Sequence, residues 1–301
     1  MNNRPKVILP YLTAFISSLI FGLSFLFSKR ALNVASPLML VSFRFLAAFI
    51  VMTVFVLFKV IKVNYKNKPM KGLILLALFE PVIYFIFETY GLQYTASSIG
   101  GLMIALIPIA VTALGAYFLN EIPTMKQMIF ILISVVGVAL IGIMDSSNNT
   151  GNSILGMILL LGAVLSAAFF SIISRKISKH FNPIEITYFM MFFGALCFNT
   201  ILVVELAINN KLATYFEPLK SDVFITSVIY LGFLSSIIAY FLINYSLSKI
   251  QASRTSIFSN ISTIVSIIAG VVFLKESFHF HHVIGSALIL LGVWGTNKFS
   301  R

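Results

Sequence analysis

Residues 223–248, VFITSVIYLGFLSSIIAYFLINYSLS, form an apolar segment that contains no charged side chain. A helix of about 20 apolar residues crosses the roughly 30 Å hydrocarbon core of a bilayer, so this segment predicts a membrane span. Similar uncharged runs recur along the chain at residues 7–28, 127–144, 186–204 and 255–274. These runs decide the fold class, which is an all-α integral membrane protein.

The composition supports the same fold class. The 301 residues are 59% hydrophobic and 10% charged, with a mean hydropathy of +1.01, whereas soluble domains carry roughly 25% charged residues. A β-barrel would show segments of roughly 10 residues with alternating polarity, and the sequence has none. We therefore predict ten transmembrane helices. They lie at about residues 7–28, 37–58, 72–93, 96–118, 126–144, 154–174, 184–205, 223–247, 255–274 and 279–297.

The positive charges predict the orientation. With a cytoplasmic N-terminus, fifteen of the 21 Lys and Arg residues face the cytoplasm, five face outward, and Arg44 lies within a span. Cytoplasmic loops of membrane proteins are enriched in Lys and Arg, so we expect both termini in the cytoplasm of a bacterial cell membrane. The net charge of +12 reflects these loops. Because no basic run is interleaved with aromatic residues, no nucleic-acid partner is expected. The lipid bilayer is the expected partner, with the chain a monomer or homodimer.

The two halves of the sequence resemble each other. Residues 27–30 with Pro37 recur as residues 173–176 with Pro183, an offset of 146, and residues 118–121 recur at 273–276, an offset of 155. We predict two repeats, residues 1–146 and 147–301, of five transmembrane helices each. Because five is odd, the second repeat must be inverted in the membrane. Inverted repeats are typical of secondary transporters, whose substrate site lies near the midplane between the repeats.

With these motifs the chain resembles the drug/metabolite transporter superfamily, in its ten-span branch of two EamA repeats. The resemblance covers essentially the whole chain and implies export or exchange of amino acids, small metabolites or drug-like solutes by alternating access. Two positions depart from the pattern, since Thr263 stands opposite Pro108 and Met190 stands opposite Arg44. The residues that carry the resemblance are Ser28-Lys29 through Pro37, Arg44, GLQYTAS at 91–97, Pro108, Leu119-x-Glu121, ASRTS at 252–256, Leu274-x-Glu276, Gly285 and Gly292.

Three polar residues in the third span are the main site candidates. Glu80, Tyr84 and Glu88 are spaced four residues apart, which places them on one face of a helix. Glu80 lies roughly 20 Å from the outer end of its span, near the midplane, while Glu88 lies roughly 8 Å and Arg44 roughly 10 Å from the outer ends of theirs. An ionisable residue inside a membrane is a functional-site hypothesis by default.

These candidates have alternative interpretations. Because no partner is evident at the depth of Glu80, this residue could be protonated and couple transport to protons, could bind a substrate amine, or could be purely structural. Glu88 and Arg44 are expected to form an ion pair that gates or braces the outer side, and Tyr84 is expected to line the cavity. With 30 Phe and 11 Tyr in the chain, we expect an apolar and aromatic cavity.

Two prolines and three further polar residues complete the candidate set. Pro81 and Pro108 are predicted to break their helices, which would free the carbonyl groups of Ala77 and Ile104. Freed carbonyls at membrane depth are buried in protein or line a cavity. Mid-membrane polar groups in the second half either line the cavity or connect helices. These groups are Tyr240, Asn244 and Asn260.

Other functions receive little support. Asn182 and Glu185 read as a helix-capping box, and Glu121 and Glu276 read as interfacial charges. We interpret His279, His281 and His282 as part of a solvated loop, because no carboxylate accompanies them as a metal ligand. No ATP-binding motif or convergent catalytic set is present, so we expect neither an enzyme nor a cofactor. A flippase for lipids or lipid-linked intermediates remains the alternative to a small-solute transporter.

Overall fold

The computed structural model describes residues 8–119, 124–147 and 153–299. Within these ranges all regular structure is helical, nine helices are long and apolar enough to cross a bilayer, and a tenth is shorter. The predicted all-α membrane fold of about ten spans is confirmed. The helices are α1 (Ile8–Leu32), α2 (Pro37–Leu57), α3 (Met70–Gln93), α4 (Ser97–Gly115), α5 (Met125–Ser147), α6 (Ile154–Ile177), α7 (Pro183–Ile208), α8 (Asp222–Lys249), α9 (Ala252–Phe273) and α10 (Phe280–Lys298).

The helices pack in reciprocal pairs. Helices at the same place in each half contact one another, namely α2 with α7, α4 with α9, and α5 with α10. The first helix of each half packs against the third and fourth helices of the other half, α1 on α8 and α9, and α6 on α3 and α4. Two inverted repeats would pack in this way. The predicted boundary after residue 146 adjoins residues 148–152, outside the described residues, and it stays a prediction.

A basic side chain ties corresponding helix ends together in each half. Lys29 Nζ, in the last turn of α1, donates to the carbonyl oxygens of Leu92 (2.7 Å) and Thr95 (2.6 Å) at the end of α3. Arg175 Nη1, in the last turn of α6, donates to the carbonyl oxygen of Leu247 (3.0 Å) near the end of α8. The last carbonyls of a helix lack helical hydrogen-bond donors and carry partial negative charge. A cation there supplies the missing donors and offsets the negative charge. Leu92 and Leu247 are separated by the repeat offset of 155.

Glu276 caps the first turn of α4. Its carboxylate accepts the backbone N–H groups of Ser97 (2.7 Å) and Ser98 (2.9 Å). A carboxylate at this place satisfies N–H groups that have no helical partner and complements the positive end of the helix. This capping role is one that the interpretation of Glu276 as an interfacial charge did not include. Glu121, which is related to Glu276 by the repeat offset, lies outside the described residues.

The third helix of each half contains a widened turn. The two π-helical segments are Leu78–Ile83 in α3 and Tyr230–Ala239 in α8. Within the first segment Glu80 has an extended backbone, with φ −143° and ψ 112°. The cause is local, because Pro81 disfavours the helical conformation of the residue before it. The break directs the Glu80 side chain away from the regular helical path.

The fourth helix of each half is interrupted as well. The breaks lie at residues 105–106 in α4, just before Pro108, and at residues 257–258 in α9. Thr263, which replaces the second proline, donates from Oγ1 to the Gly101 carbonyl oxygen of α4 at 2.8 Å. A Cβ atom at Gly101 would overlap a serine side chain of α9. The missing side chain therefore allows α4 and α9 to approach closely.

The loop between α2 and α3 is fixed to the start of α7. Asn182 and Glu185 form the predicted capping box, and Glu185 also pairs with Lys68 (2.6 Å) and accepts the Asn64 N–H (3.1 Å). The Tyr65 hydroxyl donates to the Glu185 carbonyl oxygen at 2.8 Å, and burial raises the pKa of this hydroxyl. Since these bonds link residues more than 100 positions apart, they hold the two halves together at this face.

Apolar side chains face outward and small polar ones face inward. Leu132 on α5 and Ile158 on α6 are more than half exposed, whereas Ser17, Ser42 and Ser235 are fully buried. Lipid tails surround the outer surface without penalty, and buried hydroxyls hydrogen-bond between helices. This distribution leaves the polar groups of the fold concentrated along its interior.

Candidate functional site

A cavity of about 100 Å³ lies among α1, α2, α3, α4, α6, α8 and α9. Five predicted site residues line it, namely Arg44, Glu80, Tyr84, Glu88 and Tyr240. Drug-sized ligands occupy pockets of roughly 300–1,000 Å³, so in this conformation the cavity suits a smaller molecule. Helices from both halves contribute to its walls, which places the cavity between the two repeats.

Glu80 is buried at the cavity wall and bonded on one side. Its side chain is 6% exposed, and the hydroxyl of Tyr240 on α8 donates to its Oε1. The expectation that Glu80 has no partner at its depth was therefore wrong. The other oxygen, Oε2, accepts no hydrogen bond from any described residue. One carboxyl oxygen is thus committed to the fold, and the other is left for a proton or a ligand.

The break at Glu80 is held open by a serine of the second half. Ser166 Oγ on α6 donates to the Phe79 carbonyl oxygen at 2.6 Å. The sequence predicted a freed carbonyl at Ala77, and this stays a prediction. The Phe79 carbonyl that Ser166 contacts also accepts the backbone N–H of Tyr84. Ser166 was not among the predicted residues. It fixes the backbone from which the Glu80 carboxylate projects.

Arg44 does not form the predicted ion pair with Glu88. Its Nε donates to Ser236 Oγ and its Nη2 donates to Ser235 Oγ, both at 2.8 Å. The guanidinium carbon lies 4.2 Å from the centre of the Phe85 ring. Glu88 instead accepts a hydrogen bond from the adjacent Thr89 at 3.1 Å. Arg44 and Glu88 lie at the same depth and line the same cavity, but each forms its hydrogen bonds with other residues.

Aromatic side chains form much of the remaining wall, as expected. The Tyr240 ring meets Phe21 and Phe170 edge-on, with centroids 5.2 and 6.1 Å apart. Tyr84 packs edge-on against Phe85 at 4.8 Å. Aromatic faces attract cations within about 6 Å. The cavity thus combines carboxylates with surfaces that accommodate apolar groups and ammonium groups.

Serine hydroxyls are the polar groups that the sequence reasoning missed. Ser235 and Ser236 orient Arg44, and Ser259 lines the cavity with an Oγ that has no hydrogen-bond partner among the described residues. One signal was available, because Ser235 follows Glu80 by the repeat offset of 155. A serine in an apolar helix otherwise gives no indication of its role.

Two predicted residues do not reach the cavity. Asn244 is fully buried and accepts from Ser174 Oγ (2.8 Å) while donating to Thr187 Oγ1 (3.1 Å). These bonds connect α8 to α6 and α7, which is the helix-connecting alternative. Asn260 lies on α9 away from the cavity lining, with an Oδ1 that finds no partner among the described residues.

The histidine cluster has a different setting from the predicted solvated loop. His281 and His282 lie in the first turn of α10 and are 9% and 1% exposed, and the His279 N–H donates to His282 Nδ1 at 2.9 Å. Burial against the start of the helix corrects that interpretation. In the described part of the chain, no three His, Cys, Asp or Glu side chains are grouped closely enough to hold a metal ion.

The sequence of this chain is similar to those of several known proteins. The EamA-like transporter family matches residues 8–143 and residues 154–298, one match on each predicted repeat. "Uncharacterized transporter YcxC" of Bacillus subtilis (strain 168) is 39% identical over 95% of this chain and 92% of that protein. The "Probable amino-acid metabolite efflux pump" of Escherichia coli (strain K12) is 24% identical over 93% and 92%.

Two more distant likenesses agree with these matches. An "Uncharacterized transporter" of Archaeoglobus fulgidus is 28% identical over 91% of this chain and 93% of that protein. A protein crystal structure superposes on 97% of this chain and 98% of its own chain, with a TM-score of 0.67 and 15% identity. At that identity the superposition shows a shared fold alone.

Proposed function

The chain belongs to the EamA-like transporter family, and from this premise we propose that it exports or exchanges a small organic solute by alternating access. It is a multi-pass membrane protein, which we place in the bacterial cell membrane with both termini in the cytoplasm, following its Lys and Arg distribution. The name of the Escherichia coli relative, "Probable amino-acid metabolite efflux pump", makes efflux of an amino-acid metabolite the first candidate.

The observation that carries the proposal is the free oxygen of Glu80. A carboxyl oxygen buried without a hydrogen-bond partner is destabilising, and Glu80 Oε2 is in this state at the cavity wall. A proton relieves the penalty by neutralising the carboxylate, and a solute ammonium group relieves it by donating a hydrogen bond to the same oxygen. Because both occupants need the same oxygen, they exclude each other, and this exclusion is the basis of proton–solute exchange.

The contact between Glu80 and Tyr240 links occupancy to conformation. Glu80 lies on α3 of the first half and Tyr240 on α8 of the second half. An occupant that draws the carboxylate away from Tyr240 changes a contact between the two repeats. A ligand shifts a conformational equilibrium only through such differential contacts, so we assign Glu80 as the coupling residue and Tyr84 and Glu88 as cavity-lining residues.

Counterflow in proteoliposomes tests this proposal. Vesicles loaded with an amino-acid and metabolite extract are diluted into labelled solutes across a range of pH, and exchange is followed by mass spectrometry. Wild type is compared with Glu80→Gln and with Glu205→Gln, which removes an exposed carboxylate outside the cavity. We expect exchange in wild type and in the Glu205 variant, and loss of its pH dependence in Glu80→Gln.

The same experiment identifies the failures. If Glu80→Gln exchanges as wild type does at every pH, the assignment of Glu80 is wrong. If no water-soluble compound exchanges in wild type, the small-solute proposal is wrong and lipid transport becomes the next activity to measure. No contact among the described residues favours that flippase alternative.

A further inference from the structure

Arg44 brings a permanent positive charge to the cavity without touching a carboxylate. It is 2% exposed, and among the described residues the ion pair within 4 Å is that of Lys68 with Glu185. Its hydrogen-bond partners, Ser235 and Ser236, are neutral. Arginine does not lose its proton in proteins, and a buried charge without a contacting counter-charge is strongly unfavourable. The guanidinium is therefore able to gain from contact with an anionic group.

The guanidinium also has donors to spare. Nε and Nη2 are bonded to the two serines, while Nη1 forms no hydrogen bond with a described residue. The flat face of the group is covered by the Phe85 ring. The serines and Phe85 fix the guanidinium plane and therefore the direction of Nη1, and Arg44 is one of the residues that line the cavity. Arg presents planar pairs of donors that suit carboxylate and phosphate oxygens.

Glu80 and a serine that binds Arg44 occupy related places in the two halves. Glu80 lies in the widened turn of α3, and the residue at the repeat offset of 155 is Ser235, in the widened turn of α8. Glu80 supplies a carboxylate at the first turn, and Ser235 holds the Arg44 guanidinium at the second. The cavity is thus lined by a carboxylate on the widened turn of α3 and by an arginine of α2 that is bonded to serines on the widened turn of α8.

We propose that Arg44 Nη1 forms an anion-binding subsite and that the transported solute is dipolar, with an ammonium group at Glu80 and a carboxylate-type oxyanion at Arg44. The proposal rests on the proposed function for the existence of a solute site, and it adds the charge pattern of the solute. The apolar part of the solute lies against the rings of Phe21 and Phe170. Glu88, which accepts its hydrogen bond from Thr89, lines the same cavity.

The test compares three probes that share one apolar group. L-Leucine carries both charges, 3-methylbutylamine carries only the ammonium group, and 4-methylpentanoate carries only the carboxylate. Their binding to the purified full-length protein is measured by thermal stabilisation over a concentration series, since a ligand that binds the folded state raises its stability. Wild type is expected to bind leucine more tightly than either single-charge probe.

Variants separate the two ends of the site. Loss of a charge-assisted hydrogen bond weakens binding roughly 10- to 100-fold, so Arg44→Gln should lose that factor for leucine and retain its affinity for the amine. Arg175→Gln, which removes an arginine at a helix end away from the cavity, should bind all three probes as wild type does. If Arg44→Gln does not fold, the double variant Ser235→Ala/Ser236→Ala keeps the charge, releases its orientation, and should weaken leucine binding selectively.

Three results would overturn the proposal. They are equal affinity of wild type for leucine and the amine, an unchanged leucine-to-amine ratio in both Arg44→Gln and the double serine variant, and no stabilisation by any probe. Amine binding that Glu80→Gln weakens, together with an unchanged ratio in the arginine variant, leaves the proposed function intact and removes only the anion subsite. Selective leucine binding without counterflow would support the anion subsite and contradict the proposed transport function.

Discussion

Replacing Glu276 by alanine removes the acidic cap of α4. In the folded protein this carboxylate accepts two backbone N–H groups, from Ser97 at 2.7 Å and Ser98 at 2.9 Å. A hydrogen bond to a charged group contributes roughly 1.5–3 kcal/mol, and the favourable field at a helix N-terminus adds roughly 0.3–1 kcal/mol. Because Glu276 is only half-buried, we take the lower end of each range. For the two hydrogen bonds and the helix field together, the expected loss is about 3 kcal/mol in the free energy of unfolding.

The assay is equilibrium unfolding of the purified protein in mixed micelles with an increasing fraction of denaturing detergent. Glu217→Ala serves as the matched control, because Glu217 is exposed in the short turn Glu217–Lys220, and such a change should stay within about 0.5 kcal/mol. Glu276→Gln keeps one amide oxygen as acceptor and should fall between the two. If Glu276→Ala costs no more than Glu217→Ala, the carboxylate does not cap α4 and the reasoning is refuted.

Three further predictions concern the site and its supports. Ser166→Ala removes one of the two donors to the Phe79 carbonyl, the other being the Tyr84 N–H, and should cost roughly 0.5–1.5 kcal/mol. Ser171→Ala, whose hydroxyl bonds within its own helix, should cost less than about 0.5 kcal/mol, and detergent unfolding measures both. Asn244→Ala breaks hydrogen bonds that join three helices and should lower the free energy of unfolding by roughly 2–3 kcal/mol. The solute affinity measured in counterflow should stay unchanged, and a large loss of affinity would contradict a structural role for Asn244. Tyr240→Phe keeps the ring but removes a donor that favours a charged Glu80, so the pH profile of counterflow should move to higher pH, and an unchanged profile would separate Tyr240 from the coupling.

The course of the helices could be predicted because the governing physics is local. Hydropathy over about 20 residues identifies a span, and a proline restricts the residue before it, so the segment around Glu80 and Pro81 revealed both a span and its break. The capping box of Asn182 and Glu185 needed only four consecutive residues. Repeat offsets added the pairing of the two halves, since Lys29 and Arg175 occupy matching places at helix ends.

The partners inside the cavity could not be predicted, because they depend on how each helix is rotated about its axis. Arg44 and Glu88 share a depth, but depth does not tell which way a side chain points, and Arg44 bonds to Ser235 and Ser236 instead. Ser166 meets Phe79 across 87 positions of sequence. A hydroxyl in an apolar helix fits lipid-facing, packing and cavity positions equally well, so composition could not distinguish these roles.

The central claim is that Glu80 exchanges a proton for the transported solute, and a direct test is proton movement driven by that solute. Proteoliposomes containing a pH-sensitive dye are loaded with the solute found in counterflow and diluted into solute-free buffer. Solute efflux through wild type should drive protons inward and acidify the lumen, whereas Glu80→Gln should release or exchange the solute without a pH change. Solute efflux through wild type with no proton movement, or equal acidification by wild type and Glu80→Gln, would contradict the account.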